Sequence, residues 1–304
     1  MTGRGTVGKT LTDMLKQAPE GAEGYSRLGT ILRLTAFAVF AWWNAWLLYG
    51  FVGWGLDGLP TNDYSLFASL DPTAPYGSWF KWSLPAAYAI SWIATSVPFW
   101  LWSALHLVAL LTIRPRVVVA IALVTFPFWA DVASGNILTF VFVAAWHGLS
   151  GSRVGAVAFV MLAVLVPRPI MLPVLAYLVW HRPEARVAFV VSAAVVGGLA
   201  LATGTLGPWV VRLLEATGPE LGASWNLGPS KFLGVAWVPV GLVLGVFLTW
   251  RGRLGLASLT LTPYLIHYYA ILVLLELCPV AHRPAGRIAD RPGGRALQPQ
   301  VLEV

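Results

Sequence analysis

The chain has a single cysteine, Cys278, among 304 residues, and only 13 acidic residues. One thiol leaves no internal disulfide, and Cys and His do not cluster at ligand-like spacing, so neither redox chemistry nor structural zinc finds support. Charge is scarce as well: 11% of residues are Asp, Glu, Lys or Arg against 58% hydrophobic, with a mean hydropathy of +0.72. That balance excludes an ordinary soluble globular domain. Gly-rich phosphate loops, HExxH and GxSxG motifs are missing too. The net charge of +7 does not speak for nucleic acid, because the arginines stand in short loops between apolar runs and form no basic stripe interleaved with aromatics.

What is present is a succession of runs that are apolar on all faces, the mark of segments surrounded by lipid. The fold class expected is an all-α membrane protein. Residues 1–28 read as a cytoplasmic N-terminal segment, since they are polar and basic and no small-residue cleavage site follows the first run. Residues 29–278 form the polytopic transmembrane domain, and 279–304 a disordered basic tail rich in Pro, Gly and Arg. Arginines between runs place those turns on the cytoplasmic side, putting loops 53–83 and 204–234 on the outer side. Residues 84–113, interrupted by Pro98, read as a lead-in helix followed by a span. Segments 117–134, 137–149, 154–166 and 170–180 are shorter, and several cannot cross a bilayer alone at about 1.5 Å per residue. Half-length helices with irregular backbone between them are tolerated in a membrane only when buried in protein or lining a cavity. The last run, 254–277, is expected to break near Pro263.

Polar chemistry concentrates in the first outer loop, which holds Asp57, Asp63 and Asp71, three of the six aspartates. Asp63 lies close to the end of the first span, where a carboxylate can accept a proton at the membrane face, and partial desolvation would make it a stronger base. Asp57 and Asp71 look like turn residues. Asp131 and Asn136 bracket the end of a short apolar helix, and ionisable groups at membrane depth are expensive unless they serve a purpose. Arg168, between two prolines, joins a cation to a helix break, a combination suited to phosphate. His267, Tyr268 and Tyr269 interrupt the last apolar run; Asn226 and Lys231 stand in the second outer loop. Each also has a plain structural reading: helix cap, interfacial arginine, packing histidine or solvated loop. His106 and His147 read as structural, and most of the 16 tryptophans as interfacial belt residues, with Trp79 and Trp82 as possible sugar-stacking exceptions.

The order of these features resembles the GT-C class of polytopic glycosyltransferases, most closely glycosyltransferase family 87, which transfers mannose from a polyprenyl-phosphate carrier. The matching pieces are Asp63-Tyr64 after the first helix, FKWSLP at 80–85, SGN at 134–136, VPRP at 166–169, WNLGPSKFLG at 225–234 and TPYLIHYY at 262–269. The order spans 30–278; Arg168 stands where a lysine is usual and Asn136 where the pattern has glutamine. The resemblance implies a GT-C-like bundle of about 8–10 transmembrane or half-membrane helices with a non-cytoplasmic first loop. It implies an inverting hexosyltransferase in the plasma membrane, with no cofactor or metal beyond the lipid-linked sugar donor. Its partners would be that donor, a glycan, lipid or protein acceptor, and the bilayer. Asp63 would be the general base. Arg168, His267, Lys231, Asn136, Tyr64, Asp131, Asn226 and Tyr268 would bind substrate or phosphate. Two other readings use the same residues: a transporter or flippase for a lipid-linked or anionic substrate, and an inactive, truncated relative.

Overall fold

The computed structural model describes residues 63–77, 80–215 and 226–278, together with Ala38. The first apolar run, Asp57, the N-terminal segment and the basic tail lie outside the described residues, as does Trp79. Within the described residues the protein is helical, with no strand.

A short helix α1 (Asp63–Ala68) precedes a single 3-10 turn (Pro75–Gly77). Helices α2 (Leu84–Ser96) and α3 (Phe99–Leu111) follow, 13 residues each. They meet at 115° across Val97-Pro98. The expected lead-in and full span are therefore two equal arms, because proline removes a backbone donor and forces the residue before it out of the α region. Proline's missing N–H ends a helix once more than the sequence pattern suggested. Segment 117–134 is divided into α4 (Arg116–Leu123) and α5 (Phe126–Ser134), bent by 69° just ahead of Pro127.

Helices α6 (Leu138–Leu149) and α7 (Arg153–Leu165) make a tight antiparallel hairpin. Glycine permits it: a Cβ on Gly155 would lie 2.6 Å from both the Gly148 nitrogen and the His147 Cβ. Ser152 Oγ caps the return helix by accepting from Gly155 N at 3.1 Å. Each arm is about 18–20 Å long, so the hairpin carries the chain from Asn136 to the far end of the bundle and back to Arg168. A 3-10 turn (Pro169–Met171) leads into α8 (Leu172–His181) and the 20-residue α9 (Pro183–Ala202).

The segment expected as the second outer loop is not plain coil. It contains α10 (Leu206–Glu215) and, after residues outside the description, α11 (Ser230–Leu233). Trp209 Nε1 donates to Lys81 O at 2.9 Å and Arg212 Nη2 to Tyr76 O at 3.0 Å, so α10 docks on residues 75–82 of the first loop. Helix α12 (Trp237–Trp250) then crosses to α13 (Leu254–Leu261). The last run breaks at 262–266 and doubles back as a 3-10 helix, His267–Leu277. That helix runs parallel to α6. Asn136 meets Tyr268 where both begin, and Ser150 Oγ lies 3.5 Å from Cys278 Sγ where both end.

Among the described residues two segments, Pro183–Ala202 and Ser230–Trp250, are long and apolar enough to cross a membrane, and up to four are if each bent pair counts as one. Only 17% of either long segment's apolar window is covered by the rest of the protein, leaving Val187, Val190, Leu201, Val243 and Val246 bare. Such a surface is costly in water and ordinary against lipid chains.

Candidate functional site

The site is built where α6 and the final 3-10 helix begin. Helix α5 ends in the left-handed region at Gly135, φ 69°, where a Cβ would fall 2.6 Å from the Cβ of Tyr64. Glycine is required there both for its backbone and for the closeness of α1. The two carbonyls of this turn are held from one face of α3: Trp102 Nε1 donates to Gly135 O at 2.9 Å, and His106 Nε2 lies 2.7 Å from Asn136 O. His106 Nδ1 rests 2.8 Å from Trp102 O. Trp102 and His106 are one helical turn apart, so a single helix face clamps the turn.

Asn136 is then oriented without ambiguity. Its Oδ1 accepts from Ile137 N at 2.8 Å, which aims Nδ2 outward to donate to Asp63 Oδ2 at 2.5 Å and to Tyr268 Oη at 3.0 Å. Asp63 opens α1 and is half-buried. Burial pushes its carboxyl above the usual aspartate range; the Asn136 hydrogen bond and the positive charge of Arg168 pull it back down, and Asp131 adds a smaller push upward. Among the described residues Asp63 accepts one hydrogen bond, and none comes from the backbone.

Asp131 is different. It is fully buried and accepts from Thr139 N at 2.7 Å and Leu138 N at 3.3 Å, satisfying orphan donors in the first turn of α6. His106 Nε2 is 3.7 Å from its second oxygen. Asp131 thus fixes the helix that carries Asn136 and adds its charge to the field at Asp63.

Arg168 comes to this end on the return arm of the hairpin. Its guanidinium lies 5.3 Å from the Trp82 ring and 5.9 Å from the Tyr269 ring, and Nη1 donates to Tyr269 Oη at 3.2 Å. Aromatic faces hold a guanidinium in place without cancelling its charge. No carboxylate pairs with Arg168 among the described residues, yet its charge is felt at Asp63. The Tyr268 and Tyr269 rings, 5.3 Å apart, lie between the two.

The remaining expected residues fall into place around this core. His267 packs its half-buried ring against Phe126 and Tyr268, at 5.8 and 5.3 Å, beside the polar network and not in it. Tyr64 is spent on the bend between α2 and α3, its hydroxyl donating to Val97 O at 2.6 Å and Ile93 O at 3.1 Å. Asn226 is buried and ties two loops: its Oδ1 accepts from Gly228 N and Leu265 N, at 2.9 and 3.0 Å, and its Nδ2 donates to Ser230 Oγ at 2.8 Å. Lys231 is exposed on α11. Asp71 starts an exposed turn, accepting from Thr73 N and Thr73 Oγ1. Trp82 is buried beneath Arg168. Sequence reasoning noticed Tyr269 beside His267 and Tyr268 but gave it no role, and passed over Trp102 and the role of His106; the four-residue spacing of Trp102 and His106 was the one signal of a shared face.

Comparison with protein-family models, with curated proteins and with solved structures gave no match.

Proposed function

We propose that the chain is a multi-pass glycosyltransferase of the plasma membrane, with a GT-C-like architecture and a cytoplasmic N-terminus. It moves a hexose, mannose by the resemblance, from a polyprenyl-phosphate donor to a hydroxyl of a lipid, glycan or protein acceptor at the outer face. The acceptor oxygen attacks the anomeric carbon while the bond from that carbon to the phosphate oxygen breaks. The acceptor proton passes to Asp63, and the electron pair leaves with the phosphate, whose charge Arg168 stabilises. Asn136 and Tyr268 orient the base. Asp131 and His106 hold the turn from which Asn136 reaches.

The observation that carries this reading is the disposition of one carboxylate and one cation. Asp63 is desolvated and lightly hydrogen-bonded, which makes it a base. Arg168 stands off from it on an aromatic cradle, its charge unneutralised, which suits a departing phosphate. A resting ion pair between the two would have spent both groups. The polar groups also gather at one end of α6, as an enzyme facing one side of the membrane requires; a transporter would centre them between two similar halves.

The test is transfer of labelled sugar from polyprenyl-phosphate-mannose by membranes containing the protein. Asp63→Asn is expected to lower the rate by about a hundred- to ten-thousand-fold. Near-normal transfer by that variant sinks the assignment.

A further inference from the structure

The α6–α7 turn lies at the end of the bundle opposite Asp63 and Arg168, and it presents a cation that the fold does not use. Arg153 opens α7 and is exposed; among the described residues it makes neither a hydrogen bond nor an ion pair. The other arginines around this turn are committed. Arg182 donates to Gly151 O and Gly148 O at 3.4 and 3.5 Å and lies 3.7 Å from Glu184 Oε1. Arg186 donates to Val179 O and Trp180 O at 2.9 and 2.6 Å. The Arg182 guanidinium rests so close to the turn that a Cβ on Gly151 would lie 3.5 Å from its Nη2. Its charge, shared with Glu184, therefore stands beside the segment that carries Arg153.

Beyond Arg153 the open face of α7 is apolar. Val154, Val157, Ala158 and Met161 share one side of the helix, while Gly155, Ala156, Phe159 and Val160 turn into the bundle. Ala158 is the smallest of the outward residues, and the face around it forms a trough of about 380 Å³ with Arg153 at one end. From Arg153 to Met161 the helix rises about 12 Å, most of the depth of one leaflet, which is about 15 Å of a hydrocarbon core about 30 Å thick. Val154 and Met161 are exposed, a surface that alkyl chains cover and water does not favour.

A ligand for this site must be an amphiphile, with an anion for the guanidinium and an alkyl chain for the trough. A phosphate meets an uncommitted guanidinium through paired N–H donors. A headgroup with net negative charge is favoured where Arg182 adds to the field, whereas a zwitterionic headgroup brings a cation of its own to two arginines. We infer that Arg153 and the apolar face from Val154 to Met161 bind one anionic phospholipid, its phosphate on Arg153 and one acyl chain along the trough. The inference rests on the lipid-facing character of the helices and not on the transferase reading, whose residues lie at the other end of the bundle.

The test is native mass spectrometry of the full-length protein released from detergent micelles, with phosphatidylglycerol or phosphatidylcholine of the same acyl chains added. Wild type is expected to retain one phosphatidylglycerol at least about fivefold more tightly than phosphatidylcholine. Arg153→Gln removes that preference and leaves phosphatidylcholine within about twofold, while Arg153→Lys, which keeps the charge, restores part of it. Ala158→Trp fills the trough and weakens both lipids. The inference is overturned if wild type shows no preference, if Arg153→Gln keeps it, or if Ala158→Trp leaves both lipids bound as before. A dimer that forms without added lipid and is lost in Ala158→Trp overturns it as well, since a second copy of the chain then covers this face. Arg153→Gln in zwitterionic membranes is expected to keep sugar transfer within about twofold of wild type, so the lipid site and the transferase assignment fail separately.

Discussion

Two buried polar clusters sit at opposite ends of α6 and the final 3-10 helix, and they differ in how completely their carboxylates are used. At the far end Glu276 has both oxygens committed: Oε1 accepts from Leu256 N at 3.2 Å, and Oε2 faces Arg253 Nη1 at 3.4 Å. It caps α13 as Asp131 caps α6, and the approach is so close that a Cβ on Gly255 would fall 2.5 Å from Leu272 O. Such groups hold helices in place. At the other end Asp63 accepts one side-chain hydrogen bond among the described residues, and Arg168, whose charge reaches it, is stacked on rings instead of bound to it. On the proposed reading, what sets the base apart from the carboxylates that hold helices is not burial but the number of donors each already holds.

That distinction is sharpest where substitutions pull activity and stability apart. The largest expected effect is the loss of transfer by about a hundred- to ten-thousand-fold on Asp63→Asn, with thermal stability kept, since asparagine can still accept from Asn136. Glu276→Ala is expected to do the reverse. Arg253, 8% exposed, loses the Glu276 carboxylate and α13 loses its cap, costing about 3–5 kcal/mol by the usual penalty for breaking a buried charged pair, while the protein that remains folded keeps its specific activity. Denaturation followed by tryptophan fluorescence, paired with the transfer assay, measures both. If Asp63→Asn unfolds the protein or Glu276→Ala selectively abolishes transfer, the two clusters have been assigned the wrong way round. A smaller loss, about 1–3 kcal/mol for a side chain forced into the left-handed region against α1, is expected for Gly135→Ala. It should lower activity as well, because Asn136 follows directly.

The membrane-type helical architecture was legible because it is written in composition and run length, and most helix boundaries followed from proline, glycine and arginine. Asp63, Asn136 and Tyr268, though 73 and 132 residues apart along the chain, were each picked out as polar groups in apolar surroundings. Their meeting was not legible, since it depends on α1, the Gly135 turn and the final 3-10 helix arriving at one end of α6 from distant parts of the chain, just as Arg168 is returned there by the α6–α7 hairpin. The bend at Thr125 was missed because one proline just inside a helix start reads equally as continuation. The cation cradle escaped notice for another reason: nothing in the sequence pairs Trp82 or Tyr269 with Arg168, and only the fold brings the two rings to the guanidinium.

The smallest effect is carried by pH. Asp63 has its carboxyl raised in the folded protein, chiefly by burial, so the folded state holds a proton that the unfolded chain has already released once pH exceeds the ordinary aspartate range. By linkage the stability contribution of this group is fully present below that range and declines as pH rises through the raised value. Asp63→Asn has no such proton to lose, and its stability should stay flat across the same window, leaving it equal to or slightly more stable than wild type at neutral pH. Transfer has the opposite dependence, because only the ionised carboxylate can accept the acceptor's proton; the acid limb of the rate profile should lie above the ordinary aspartate range. Melting curves and transfer rates collected over one pH series decide the matter. Opposite slopes in wild type and a flat stability profile in Asp63→Asn mark a base kept under-solvated at a cost to the fold, whereas parallel slopes would place Asp63 with Glu276 and Asp131 among the carboxylates that merely hold helices together.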